Sequence, residues 1–432
     1  MLWPRTLSIR GRLRWPYADR AGTLHAMETT TNPPKPAYVP QIRLYQDWLR
    51  DTRGLAFDSY DALWQWSVTV LDSQDRAALA APAEDGREIA LTHSSVALLR
   101  TLGQWQRLAD SEIGTIRAAQ VVDGPLQQAA LHFTTPRNPD ERLGWIVPNH
   151  ALRRVGFEVA ASLPGLRIID NTRVDQVGTA ATHAEVSWGA ASGTPQRLRA
   201  RLLVAADSRF SQTRRQLGIG ADMLDFGRTM VVCRMQHTLA HRGIAYECFG
   251  YDRTLAVLPL PGDVSSVVVT TGTDEAQRLL ALPPAEWATL IQQQFLQRLG
   301  PMQLQTTRHA YPLVAVYAHR FAGTRSVLVG DAAVGMHPVT AHGYNLGLAG
   351  VATLAQVLAG AQQLGQDIGA PALLARYETQ HRRQTRLIYH GTNAVARLYA
   401  DTRAPQRLLR NLVLRGAQHL PPLKAAITAR LH

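Results

Sequence analysis

At 432 residues, with 46 Lys and Arg against 33 Asp and Glu, the chain carries a formal charge of +13 and can bury a core of two or three domains. Cys233 and Cys248 are its only cysteines, which excludes a disulfide framework and a cysteine-rich zinc site and fits a reducing cytosol. The basic balance comes with no nucleic-acid recognition motif, and no apolar run reaches the roughly 18 residues of a membrane span.

Little in the first 67 positions suits a sheet. Asp19 is the only acid before Glu28, an arginine-rich start superficially similar to a transit peptide. Thr6 to Trp15 alternates apolar residues with arginine, a poor pattern for a central strand that is apolar on both faces. Ile42 to Leu49 and Tyr60 to Trp64 carry helical spacing. Val68-Thr69-Val70-Leu71-Asp72 reads as the second strand of a dinucleotide fold, with Asp72 placed to hydrogen-bond an adenosine ribose. Such an acid follows a Gly-x-Gly-x-x-Gly turn by about 20 residues. The glycines before Gly86 are Gly11, Gly22 and Gly54, isolated from one another, and the later Gly218-Ile219-Gly220 follows Arg-Arg-Gln-Leu rather than a strand.

Val96, Leu98, Leu99 and Leu102 predict a helix over Ser94 to Trp105, and Ile146 to Asn149 leads into a helix from Ala151. Leu202 to Asp207 is another buried strand ending in an acid. Met230 to Gln236, Ile244 to Phe249, Thr254 to Leu260 and Ser265 to Thr271 alternate or run apolar between turn residues, the pattern of an antiparallel sheet. Tyr246, Phe249, Leu258 and Tyr317 are its candidate pocket liners. Arg325 to Leu348 runs from a buried strand into Gly330-Asp331, a Pro/Gly loop and a small-residue helix, whose N-terminus can receive a phosphate- or ribityl-bearing cofactor. The apolar stretch Leu346 to Gly360 reads as a buried helix beneath it. After Asp401 no acid remains, while Arg407, Arg410, Arg415, Lys424 and Arg430 alternate with apolar residues; this helix either docks on the body or lies on an anionic leaflet.

Gly330-Asp331-Ala332-Ala333, Pro338, Gly343, Asn345 and Gly347 resemble the second flavin motif of the single-component FAD hydroxylases of ubiquinone biosynthesis. Together with Gly86-Arg87-Glu88-Ile89-Ala90-Leu91 they are most similar to the demethoxyubiquinol-hydroxylase variant of that family. Three departures are Val334 where His is usual, Ala341-His342 where Gly-Gln is usual, and Gly350 where an acid is usual. Asp207-Ser208-Arg209-Phe210-Ser211, followed by Arg214-Arg215, resembles the family's Asp-Gly motif with Ser208 in the glycine's place. The resemblance runs from about Val68 to the C-terminus. Residues 27–69 are instead similar to the N-terminal cap of acetoacetyl-CoA synthetases, so the chain reads as a chimera, with Met27 an original start and residues 1–26 translated upstream sequence. None of the synthetase's catalytic core is present, and no ligase activity is expected.

The resemblance implies an α/β, Rossmann-like FAD/NAD(P)-binding fold of the para-hydroxybenzoate hydroxylase type, lacking the first strand and the GxGxxG turn, with an antiparallel-sheet substrate domain and C-terminal helices. The expected divisions are a foreign extension over 1–67, a first FAD-binding part over 68–225, a substrate sheet over 226–310, the Gly-Asp motif and its helix over 311–365, and basic helices over 366–432. FAD is the implied cofactor, NAD(P)H the co-substrate and a polyprenylated aromatic ring the substrate. The implied location is cytoplasmic, with peripheral contact to the inner membrane or to a ubiquinone-biosynthesis complex.

The implied cofactor contacts are Asp72, Arg87, Asn149, Asp207, Gly330, Asp331, Pro338, Gly343, Tyr344 and Asn345. Asp331 either accepts hydrogen bonds from the ribityl chain or caps a helix. Gly343, Tyr344 and Asn345 would aim N–H groups at the flavin edge that gains negative charge on reduction, with Pro338 over the ring. Arg87 either reaches the pyrophosphate or is a surface arginine, and Asn149 matches a polar flavin contact. Moving one oxygen atom of O₂ to an electron-rich ring in a dry pocket requires no nucleophilic triad, so His337 and His342 are read as structural. Losing the two or three charge-assisted hydrogen bonds of the absent turn removes roughly 4–6 kcal/mol, or about 10³–10⁴ in Kd. Two functions follow: an FAD-dependent aromatic monooxygenase, or a non-catalytic chimeric flavoprotein with weak or no FAD binding.

Overall fold

Six strands form one sheet in the order Ala322–Gly323, Ser326–Leu328, Leu202–Ala205, Thr6–Ile9, Val68–Leu71, Leu166–Ile169, four of them parallel to one another. The structure is a computed structural model that describes residues 6–9, 68–124, 128–134, 142–189, 193–250 and 253–400. Leu202–Ala205 and Ser326–Leu328 are buried at every position and pair in parallel, as do Val68–Leu71 and Leu166–Ile169. Continuous apolar runs of this kind belong to parallel sheets covered on both faces. All four therefore end at one edge, where Asp72 and Gly330 follow the last strand residues.

The gap in that sheet is filled from the far N-terminus. Thr6–Ile9 lies between Leu202–Ala205 and Val68–Leu71 and runs antiparallel to both, Thr6 standing opposite Leu71 and Ala205. This corrects the reading of Thr6 to Trp15 as unfit for the sheet. Two facing strand edges buried without a partner would leave a row of N–H and C=O groups unbonded, and four residues of backbone satisfy them whatever the side-chain pattern. The direction has a consequence. Thr6, not Ile9, stands at the cofactor edge, so the chain leaves this strand at the opposite edge and cannot turn there around a phosphate. Among the described residues the parallel first strand with its glycine turn is thus absent. The helical stretches at 42–49 and 60–64, the rest of the 1–67 extension and the basic segment after Asp401 lie outside the described residues.

A nine-stranded sheet stands beside the first, drawing its strands both from 118–134 and from 221–335. Its spine, Ala221–His237, pairs with Val264–Gly272, Met302–Leu304 and His309–Ala318. Thr254–Pro259 and Ile244–Phe249 extend it, and Ala118–Asp123 adds in parallel to the latter. Alternation sorts the side chains into two faces. Val231, Cys233, Met235, Leu255, Val257, Val267 and Val269 pack against Trp287, Ile291 and Phe295 in one core. Met230, Val232, Ala256, Leu258 and Val268 look the other way, into a cavity. The same parity corrects two expected pocket liners. Tyr246 packs edge-on against Phe295 at 5.1 Å, and Tyr317 lies in the other core, its hydroxyl 3.3 Å from Thr385 Oγ1. Phe249 and Leu258 do line the cavity.

Helices close the structure. His93–Thr101 is shorter than the Ser94 to Trp105 expectation, because Gly103 at φ +70° ends it and Trp105–Arg107 forms a separate turn. Gly343–Gln363 is long and apolar enough to cross a membrane, yet its Leu354 and Val357 pack in one core with Val204, Val327 and Tyr377. Gly350 on this helix faces His381 of Pro371–Ala400: a Cβ at position 350 would lie 2.5 Å from His381 Nε2. The glycine in place of an acid therefore leaves room for a buried imidazole, stacked 5.8 Å from the Tyr377 ring.

Two outcomes follow from that contact. Gly350→Ala should lose about 1–3 kcal/mol by overpacking, and Gly350→Ala with His381→Ala should lose less than the sum of the two single changes. Burial lowers His381 to about 4. Because the unfolded histidine takes up a proton near pH 6.5 and the folded one does not, stability is fully present above that pH. It should fall by about 3 kcal/mol as the pH drops towards 4. Urea midpoints at pH 5 and pH 7.5 for the wild type and His381→Leu check this: a wild-type difference no larger than the variant's contradicts it.

Candidate functional site

A cavity of about 790 Å³ runs along the common strand edge and under the large sheet. Its lining includes Val70, Asp72, Gln74 and Arg153, then Arg87, Asn149, Ser208, Arg209 and Asp331, and also His337, Pro338, Gly343 and Tyr344. Most of the expected cofactor contacts therefore meet in one place, although they come from four separated stretches of chain.

Asp331 follows its strand through Gly330, whose φ of +57° is the left-handed turn that a glycine takes without strain. The carboxylate is 6% exposed and accepts a hydrogen bond from Arg209 Nη2 at 3.1 Å. Burial raises its pKa above the usual carboxylate range, against the opposing pull of Arg209. Arg209 also donates to the Val314 carbonyl at 2.9 Å, and buried Arg214 donates to the Ala332 carbonyl at 2.9 Å. One turn thereby holds the next. Arg209 was missed as a site residue; the signal for it was its place two positions after Asp207 in the quoted motif.

Asp207 itself does not line the cavity. Its carboxylate accepts from Ser211 Oγ and from the Thr213 N–H at 2.9 Å, which shapes the turn into Gln212–Gln216. Asn345 is likewise used inside the protein: its Oδ1 accepts from the Thr92 N–H at 3.1 Å, and its Nδ2 donates to the Ala90 and Ala341 carbonyls at 2.9 Å. It fastens the start of Gly343–Gln363 to the strand Glu88–Leu91.

Arg87 and Asn149 converge on a third residue that the sequence did not single out. Asp85 accepts from Arg87 Nη2 at 2.6 Å and from Asn149 Nδ2 at 2.7 Å, and its backbone carbonyl accepts from the Tyr311 hydroxyl at 2.7 Å. Burial alone would raise the Asp85 carboxyl, but the Arg87 hydrogen bond and charge, with Asn149, hold it below the usual range. The Arg87 charge is thus already shared with Asp85. His337 caps the short turn Pro338–Thr340, its Nδ1 accepting from the Val339 N–H at 3.2 Å, and burial lowers it to about 4. It is neutral at pH 7 and serves the loop.

Two of the departures from the resembled motifs sit at backbone positions that favour glycine. Ser208 has φ +76° and Ala341 has φ +53°. A side chain in that region is strained by about 1 kcal/mol.

An FAD molecule fits this arrangement at three of its parts. Asp72 at a strand end suits a ribose, buried Asp331 suits polyol hydroxyls, and the open N-terminus of a 21-residue helix at Gly343, where an added Cβ would meet nothing within 4 Å, suits the flavin edge. The pyrophosphate would lack its usual helix start among the described residues, since Thr6–Ile9 runs the wrong way, and Arg87 and Arg209 are cations lining the cavity that could face it.

A strand-edge cavity roofed by a large, mostly antiparallel sheet is the fold that the chain shares with FAD-dependent monooxygenases. Among solved structures the chain is similar to p-nitrophenol 4-monooxygenase PnpA from Pseudomonas putida, with a TM-score of 0.66 at 17% identity over 84% of this chain and 90% of that one. PqsL, a probable FAD-dependent monooxygenase from Pseudomonas aeruginosa, gives 0.65 at 18% identity, covering 80% of this chain and 92% of that one. The FAD binding domain family model matches residues 67–390, and the chain belongs to that family, among the FAD-dependent hydroxylases of ubiquinone biosynthesis. It is 45% identical to the ubiquinone hydroxylase UbiM of Neisseria meningitidis over 88% of this chain and 82% of that protein. It is 38% identical to the ubiquinone hydroxylase UbiL of Rhodospirillum rubrum over 83% of this chain and 82% of that protein.

Restoring glycine should relieve the strained turns. Ser208→Gly and Ala341→Gly are each expected to add about 0.5–1 kcal/mol, net of the looser unfolded chain. Denaturant midpoints at unchanged m value measure this; midpoints that stay put or fall would show that neither turn is strained.

Proposed function

We propose that this chain is an FAD-dependent monooxygenase that hydroxylates an aromatic ring of a ubiquinone precursor, using NAD(P)H and O₂. The observation that carries the reading is the continuity of one cavity from the strand-end carboxylate Asp72 to an apolar sheet face, in a chain 45% identical to a ubiquinone hydroxylase. The bound cofactor supplies the activation of O₂ that no side chain here can supply. The protein's part is positioning. Asp72 takes the ribose, Arg87 and Arg209 face the pyrophosphate, Asp331 takes the ribityl hydroxyls, and the N–H groups of Gly343 and Tyr344 meet the flavin edge beside Pro338. Met230, Val232, Ala256, Leu258 and Val268 keep water from the reacting ring, which a reactive oxygen donor requires. The prenyl tail of such a substrate partitions into lipid, so the chain works at the inner-membrane surface or in contact with a ubiquinone-biosynthesis complex.

A second reading has one specific observation behind it. The antiparallel Thr6–Ile9 takes away the phosphate turn, and a chain so altered would hold FAD weakly or not at all and turn nothing over.

Flavin occupancy separates the two. Purified chain mixed with excess FAD and then desalted should keep the visible flavin band. Asp331→Ala should bind FAD at least tenfold more weakly, the loss of about one charge-assisted hydrogen bond. With NADH, O₂ and a prenylated phenol, the loaded wild type should release hydroxylated ring. A chain that stays colourless supports the second reading; one that keeps the flavin and consumes NADH without hydroxylated product overturns the hydroxylase reading without supporting the second.

A further inference from the structure

We infer that Glu247 recognises the oxygen substituent of the aromatic substrate through a hydrogen bond from its carboxyl group, an inference that rests on the hydroxylase reading above. Glu247 lies in Ile244–Phe249 and faces the cavity with Phe249, two residues on along the same face of the strand. Phe249 in turn packs with Val339, the neighbour of Pro338 at the flavin-ring end. The carboxyl therefore stands about one strand repeat, roughly 7 Å, along the sheet from Phe249, which packs against the Pro338 loop that would hold the cofactor ring.

Its surroundings are apolar. Ala256 and Val121 are its partners across the two adjacent strands, and Val268 follows Ala256 on the next. Among the described residues no group hydrogen-bonds or ion-pairs with this carboxyl, and burial is the one influence on it, raising it to about 8. Charged groups elsewhere on the elements packed here do not reach it: Arg253 faces Glu275 at 3.7 Å, and Arg228 lines the cavity on a more distant strand. Glu247 is half-buried, and a carboxyl that has no partner inside the protein while facing a ligand cavity is placed to find one in the ligand. At neutral pH the group is largely protonated, so it can donate to a ring oxygen or accept from a ring hydroxyl.

The test uses the full chain with saturating FAD and two probes, 2-prenylphenol and prenylbenzene, which differ by one hydroxyl. Dissociation constants are measured across pH 6 to 9 for the wild type, Glu247→Gln and Glu247→Leu, with flavin content compared in all three. The wild type should prefer the phenol at least tenfold, a preference that changes in size as the carboxyl ionises with the pH rising through about 8. Glu247→Leu should bind both probes alike. Glu247→Gln should keep the preference but lose its pH dependence. A preference that survives in Glu247→Leu, or an unchanged pH profile in Glu247→Gln, overturns the inference; the glutamine variant decides it alone if the leucine variant fails to fold. A wild type that hydroxylates the phenol but binds both probes equally overturns the inference and leaves the hydroxylase reading standing. A wild type that neither binds nor hydroxylates the phenol overturns both.

Discussion

The cofactor edge depends on one pair of arginines that tie two strand ends together. Arg209 and Arg214 leave the turn after Leu202–Ala205 and bond to Asp331 and Ala332 in the next strand's turn, and Arg209 also to Val314 in His309–Ala318. Without Arg209 the buried Asp331 carboxylate would lose the cation hydrogen-bonded to it, a loss that commonly costs 3–5 kcal/mol. With it, an acid 6% exposed can stay in place to receive hydroxyl groups. The turn is held in its own shape by Asp207, whose carboxylate caps it, so the acid of this motif acts through the arginines rather than on a ligand.

The second constraint is the alternation of the nine-stranded sheet. One face is closed by Trp287, Ile291 and Phe295, which fixes the other face as the wall of the cavity. A one-residue slip of any central strand would exchange the two sets and put Tyr246 or Cys248 into the cavity. That wall is the reason a flavin site and an apolar pocket are continuous, and it is also what leaves Glu247 facing apolar neighbours.

Departures from the resembled motifs are accommodated locally. Ser208 and Ala341 keep the left-handed backbone that glycine would take, so their turns retain their course under some strain. Gly350 gives up a side chain to His381, and the imidazole fills the space with aromatic neighbours on its own helix and on Phe321. The N-terminal change is of a different order. Thr6–Ile9 restores the hydrogen bonding of the sheet without restoring the phosphate turn, since backbone pairing is indifferent to strand direction and a cofactor is not.

The strands at 68–71, 202–205 and 326–328, the meander from 221 to 272, the Gly330-Asp331 turn and the helix from Gly343 were all legible in the sequence, because burial pattern and turn residues are local signals. The motif residues also named the cofactor and the family. Tertiary structure decided what depends on partners far away in the chain. It put Thr6–Ile9 into the sheet and set its direction, turned Asp207 and Asn345 inward, and made Asp85 the hub for Arg87 and Asn149. It sent Tyr246 and Tyr317 to the cores and left Glu247 in the cavity. A side chain's face follows from its strand's register, and the register is set by contacts between segments as much as 250 residues apart.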